Sequence, residues 1–145
     1  MEQIIVRNRK ARFNYQIEST LEAGIALVGT EIKSVRQGKM NISDAYVQFI
    51  NHEAFLVNAH ISLYDPASRF NHDPLRKRRL LLKKREIHRW QSKVEQSGYT
   101  VIPLKAYLKN NRLKIEIALA KGKRKYDKRE SEKKRVMDRE MRERH

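Results

Sequence analysis

Cysteine is missing from this 145-residue chain. That excludes a disulfide framework and any thiolate metal site, and it fits a reducing cytoplasm. Glycine is scarce at 5 and proline at 3, so there is little from which to build a glycine-rich phosphate loop. No apolar run approaches the roughly 20 residues that a membrane helix needs. The stretch Met1 to Lys10 lacks the apolar core of a secretory signal, so a cytoplasmic protein with no membrane partner is expected. Negative charge is also in short supply, with 17 acidic against 33 basic side chains and a net charge of +16. Self-repulsion of that size is tolerated when an anionic partner neutralises it, and for a chain of this length the fitting polyanion is nucleic acid.

What is present suits one domain with an appendage. The region Ile4 to Asn14 carries Arg7, Arg9, Lys10 and Arg12 and reads as a basic arm with a short helix near Asn8 to Phe13. Tyr15 to Val28 alternates with period two, as a half-buried strand does, with Glu22-Ala23-Gly24 expected to turn it. Thr30 is the expected N-cap of a short helix over Glu31 to Gln37, closed by Gly38. Its Ile32 and Val35 should point inward, and Lys33 and Arg36 outward. Asp44 to His60 reads as a hairpin turning at Asn51-His52-Glu53, with Phe55 and Val57 on its apolar return.

The stretch Asn71 to Ile87 sets seven Lys or Arg residues around Leu80-Leu81-Leu82. It reads as a brace anchored in the core that presents its cations outward, leading into a helix from about Leu80 to Gln96. Ile87, Trp90 and Val94 supply that helix's buried stripe. The clearest hairpin spans Tyr99 to Ala120. Ile102, Leu104, Ala106 and Leu108 are expected on one face with Leu113, Ile115, Ile117 and Leu119. Asn110-Asn111 is its turn, and Pro103 marks an edge or a bulge. These strand pairs, with helices at their ends, predict a mostly β fold: a small OB-like β-barrel over residues 1–120, a flat α+β sheet being the alternative.

From Lys121 the composition changes. The last 25 residues hold 12 basic and 6 acidic side chains and almost nothing to bury, so residues 121–145 read as a basic tail, disordered when free. The pairs Glu130–Lys134, Asp138–Arg142 and Glu140–Arg144 at i, i+4 give it helix logic that contact with RNA could complete.

Catalytic patterns are missing. The histidines His52, His60, His72, His88 and His145 show no metal-ligand spacing, and there is no nucleophile elbow. No cofactor or metal is expected. His72 reads as a hydrogen-bonded loop residue or a phosphate contact. Lys and Arg clusters beside Tyr15, Tyr46, Phe55 and Tyr107 point instead to RNA held by charge and shape.

Several blocks in order carry a resemblance that runs almost end to end. They are Arg9-Lys10-Ala11-Arg12, Glu22-Ala23-Gly24-Ile25, Gly29-Thr30-Glu31-Ile32-Lys33-Ser34-Val35-Arg36, Asp44-Ala45-Tyr46-Val47, His72-Asp73-Pro74-Leu75-Arg76-Lys77-Arg78-Arg79-Leu80-Leu81-Leu82 and Ile115 to Lys123. The chain resembles the small protein B, or SsrA-binding protein, family of bacterial trans-translation. The resemblance implies a monomer with no catalytic activity that binds the tRNA-like domain of tmRNA. It enters the A site of a stalled ribosome with alanyl-tmRNA and elongation factor Tu carrying GTP. It also implies an RNA-binding patch on the helix Thr30, Glu31, Lys33 and Arg36, to which Asn58, His60, Lys10 and Arg12 are added. The brace residues His72, Arg76, Lys77, Arg78, Arg79, Lys83, Lys84 and Arg85 are expected to contact RNA or the ribosome. Gly122, Lys123, Arg124, Lys125, Tyr126, Asp127, Lys128 and Arg129 resemble the family's tail motif, which enters the decoding centre and the empty mRNA channel. Tyr126 stands where many relatives have His. A ribosomal-type structural protein is the competing reading.

Overall fold

A computed structural model of the chain describes residues 2–65, 71–96 and 98–123. The elements in order are β1 (Glu2–Arg7), α1 (Ala11–Asn14), β2 (Tyr15–Ile25), α2 (Gly29–Arg36), β3 (Met40–Asn41), β4 (Tyr46–Ile50), β5 (Glu53–Val57), β6 (His60–Ile61), β7 (Arg78–Leu81), α3 (Lys84–Glu95), β8 (Tyr99–Lys109) and β9 (Arg112–Gly122). Seven strands form one antiparallel sheet in the order β1-β8-β9-β2-β7-β5-β4, and β3 pairs with β6. The fold is mostly β, as expected, with β4 curled back against β8. No ladder joins the sheet's two ends among the described residues, so the barrel is not closed by hydrogen bonds.

The long hairpin β8–β9 is the centre of the fold. Asn110 and Asn111 both take positive φ, at 53° and 64°, and make the two-residue turn that Asn tolerates. The register slips between Pro103 and Lys105. This is the bulge expected at a proline that cannot donate to a ladder, although β8 is an inner strand rather than an edge. The extra residue inverts the parity of the rest of the strand. Ala106 stays in the main core with Ile115 and Leu113, whereas Ile102 and Leu104 face Ala118, Ala120 and Ala11 in a second cluster. The single apolar face expected for this hairpin is therefore two.

Other expectations are corrected in the same way. Glu22-Ala23-Gly24 makes no turn, because β2 runs unbroken to Ile25. The first ten residues hold a strand that the charge pattern concealed, since β1 pairs with β8. The β4–β5 turn is only Asn51-His52, both at positive φ, so Ile50 faces Glu53 and Val47 faces Leu56. One residue fewer in the turn puts Ala54 and Leu56, not Phe55, on the core side of β5.

The brace is a strand before it is a helix. Along β7 the residues alternate: Arg78 buried, Arg79 exposed, Leu80 buried, Leu81 exposed. The helix begins only at Lys84. Both longer helices start with a glutamate that folds back on the chain before it. Glu31 accepts the Val28 N–H at 2.9 Å, and Glu86 accepts the Lys83 N–H at 2.9 Å. Thr30 is not the N-cap, because α2 begins at Gly29, two residues before the expected Glu31, and Val28 is the N-cap.

Candidate RNA-docking surface

Three carbonyls and one carboxylate surround Arg78. Its Nε donates to Glu31, Nη1 donates to the Ala59 carbonyl at 2.8 Å, and Nη2 donates to the Asp73 and Pro74 carbonyls at 3.3 and 3.1 Å. Glu31 also accepts from Arg76 at 2.6 Å, and Arg76 reaches the Ala26 carbonyl at 3.4 Å. Both Glu31 and Arg78 are wholly buried. Burial pushes the Glu31 carboxyl up, but donation from Arg76, the Val28 N–H and Arg78 more than reverses this and holds it below its ordinary value. Burial likewise pulls Arg78 down, opposed by Glu31.

Beside this knot, His72 joins Thr30 Oγ1 at 2.8 Å and the Ile61 carbonyl at 2.9 Å, and Ser34 donates to the Ser62 carbonyl at 2.7 Å. These contacts fasten α2 to β6 and to the segment entering β7. No buried side-chain polar atom among the described residues lacks a partner.

The residues singled out in the sequence divide accordingly. Lys33 and Arg36 are exposed on α2, as expected, and Asn58 and His60 flank the Ala59 carbonyl that Arg78 holds. Glu31 and Arg78 are inside, so neither can touch RNA. Their contribution can come only through the surface they hold, and the outward cation expected at Arg78 is corrected. His72 is the hydrogen-bonded loop residue rather than a phosphate contact. Arg76 is half-buried against Glu31. Lys77 sits 3.2 Å from Gln48, and Arg79 sits 3.7 Å from Glu53. Lys83, Lys84 and Arg85 are exposed. Lys10 and Arg12 stand apart at α1, on clefts shared with Arg7 and Arg9. Of the tail residues, Gly122 closes β9 and Lys123 follows it. Arg124, Lys125, Tyr126, Asp127, Lys128 and Arg129 lie outside the described residues.

Sequence reasoning missed a second surface. The row Tyr107, Lys114, Gly24, Leu81 crosses four strands on the outer face of the sheet. Leu81 is 51% exposed. A Cβ on Gly24 would stand 3.3 Å from Leu81 Cβ and Cδ1, so glycine lets this leucine lie flat on the sheet. Around it is a cleft of about 660 Å³ lined by the cations Arg79, Lys83, Lys84 and Lys114 and by the carboxylates Glu22, Glu53 and Glu86. The Tyr107 hydroxyl donates to Glu22, whose carboxyl it holds below the ordinary range, with Lys109 adding to the effect at 3.5 Å. Glycine inside a long alternating strand is the signal that could have found this cleft.

No group of metal-ligating side chains assembles among the described residues, nor is any helix there long and apolar enough to cross a membrane. Fold and surface together define a small β-domain with exposed cations set around apolar and aromatic contacts, the composition of a polyanion-docking module. The model of the SmpB protein family matches residues 5–145. The SsrA-binding protein of Halothermothrix orenii is 55% identical over 96% of this chain and 90% of its own length. That of Persephonella marina is 54% identical over 95% and 91%. Among solved structures, a chain from one described as "tmRNA-SmpB: a journey to the center of the bacterial ribosome" superposes with a TM-score of 0.70 at 45% identity, covering 86% of this chain and 92% of that one. This chain belongs to the SmpB family.

Proposed function

We propose that this protein binds the tRNA-like domain of tmRNA and carries alanyl-tmRNA, with elongation factor Tu and GTP attached to that RNA, into the A site of stalled bacterial ribosomes. The nascent chain is then tagged for degradation and the ribosome released. The protein acts in the cytoplasm as a monomer, without cofactor and without chemistry of its own. The β-domain docks the RNA, and the residues beyond it act in the decoding centre and mRNA channel; the boundary expected at 120/121 moves to the end of β9, since Lys121 and Gly122 are still paired in the sheet.

The observation that carries this reading is a cleft where Lys83, Lys84 and Lys114 surround an exposed leucine, with Glu53 paired to Arg79 and Glu86 turned onto the Lys83 N–H, on a chain whose relatives are named for SsrA binding. Lys83, Lys84 and Lys114 attract phosphates without regard to sequence. Leu81 offers a flat apolar contact to a base lifted out of its stack. Glu22 is ionised at neutral pH, so it repels phosphate and accepts a hydrogen bond from a 2′-hydroxyl or a base N–H, which sets the orientation of the RNA. Lys33 and Arg36 on α2, with Asn58 and His60, form the second contact, and the brace cation Arg79 belongs to the first.

Titrating a transcribed tRNA-like domain tests the division. Leu81→Glu should weaken binding by more than tenfold; because Leu81 is half exposed but rests on Gly24, the substitution should cost about 1 kcal/mol of stability, and the variant should remain folded at the titration temperature. Lys33→Ala should reduce the slope of log K against log salt by about 0.7–0.9 if that lysine meets a phosphate. Unchanged affinity in the Leu81 variant would remove the cleft from the interface.

A further inference from the structure

The last residues of β9 are held from three sides. Lys121 pairs with Tyr99 of β8, and Gly122 pairs with Tyr15 of β2. The Lys123 N–H donates to the Asn14 carbonyl at 2.9 Å. At the same place the Lys121 ammonium lies 4.5 Å from the centre of the Tyr99 ring, and Lys93 of α3 lies 5.7 Å from that centre. A single ring thus gathers cations from two elements where the chain leaves the sheet. A cation within about 6 Å of an aromatic face is attracted by the ring's quadrupole. The ring also borders a cleft of about 410 Å³ with Gln16, Ile17 and Glu18, so removing it would leave Lys121 over empty space.

We propose that Tyr99 is a positioning residue for the C-terminal segment. It pins the end of β9 to α3, so that the chain leaves the sheet from a fixed point at Lys123. A segment that must reach a second site from an already docked body does so at an effective concentration set by how its root is held. A loose root spreads the same segment over directions that miss the site. The inference rests on the tail's proposed role in the ribosome, and it assigns Tyr99 no contact with tmRNA.

The test uses the full chain. Ser131→Cys introduces a unique thiol into a protein without cysteine, which takes a nitroxide spin label. In Tyr99→Ala the label should become more mobile, affinity for the tRNA-like domain should stay within twofold, and tagging on stalled ribosomes should fall about fivefold. Tyr99→Phe keeps the ring face and should restore label mobility and tagging. Tyr99→Leu, which keeps bulk but no π face, should follow the alanine variant and replaces it if alanine unfolds the protein. Unaltered label mobility or tagging in the alanine and leucine variants would overturn the proposal. So would a phenylalanine variant that behaves like alanine, or RNA affinity that falls in step with tagging. If the unsubstituted protein neither binds nor tags, the functional reading fails, and label mobility still decides the role of Tyr99.

Discussion

Glu31→Gln should lower the stability of this protein by about 3–5 kcal/mol, because it leaves Arg78 charged and buried without its counter-ion. Against a total of about 5–15 kcal/mol for a domain, that is a large fraction, and the midpoint of thermal unfolding should drop on the order of 10–20 °C. Glu31→Lys should be worse, since it sets a third cation beside Arg76 and Arg78. A charge reversal here tests the fold before it tests RNA binding.

The pH dependence carries the same signature. The Glu31 carboxyl lies below its ordinary 4.5 in the folded protein, so below that value the unfolded chain binds the extra proton first. The stability this group contributes is complete above 4.5 and is lost as pH falls through the lower folded value. The glutamine variant should lose that part of the acid limb. Urea unfolding of the two proteins at several pH values measures both effects. A variant within 1 kcal/mol of the parent (~5-fold in the folding equilibrium) would show that the knot is not a cornerstone.

The second large effect concerns the tail. Removing residues 124–145 should leave affinity for the tRNA-like domain within about twofold and abolish tagging on stalled ribosomes. The cut belongs after Lys123. A cut at Lys121 would take away the ladder partners of Tyr99 and Tyr15 and the N–H bonded to Asn14, confusing a damaged body with a missing tail. Binding that collapses in the shorter protein would place the tail within the RNA interface.

How far the sequence shows this molecule depends on what each pattern encodes. The β8–β9 hairpin was legible because Asn110-Asn111 names its own turn and apolar alternation runs on both sides. Where Pro103 inserts a bulge, the same alternation misleads by one residue, since period-two parity does not survive an extra position. β7 was illegible for a different reason. In Arg78-Arg79-Leu80-Leu81 one arginine and one leucine point each way, so polarity carries no period. A buried arginine becomes favourable only with Glu31 and three carbonyls around it, and of those partners Asp73 and Pro74 are local whereas Glu31 and Ala59 come from distant parts of the chain. Leu81 looked like core because leucine usually is, and its exposure follows from Gly24 on the neighbouring strand. The cations of α2 were read correctly, since an eight-residue helix against a sheet has only one side left for them.

The most direct measurement is the identity of the RNA that the protein holds in cells. The full-length chain, purified through an N-terminal tag at moderate salt and sequenced for bound RNA, should retain tmRNA as the dominant species. Leu81→Glu should lose it, and the protein ending at Lys123 should keep it. Bulk ribosomal RNA in place of tmRNA, or equal recovery by the Leu81 variant, would contradict the account.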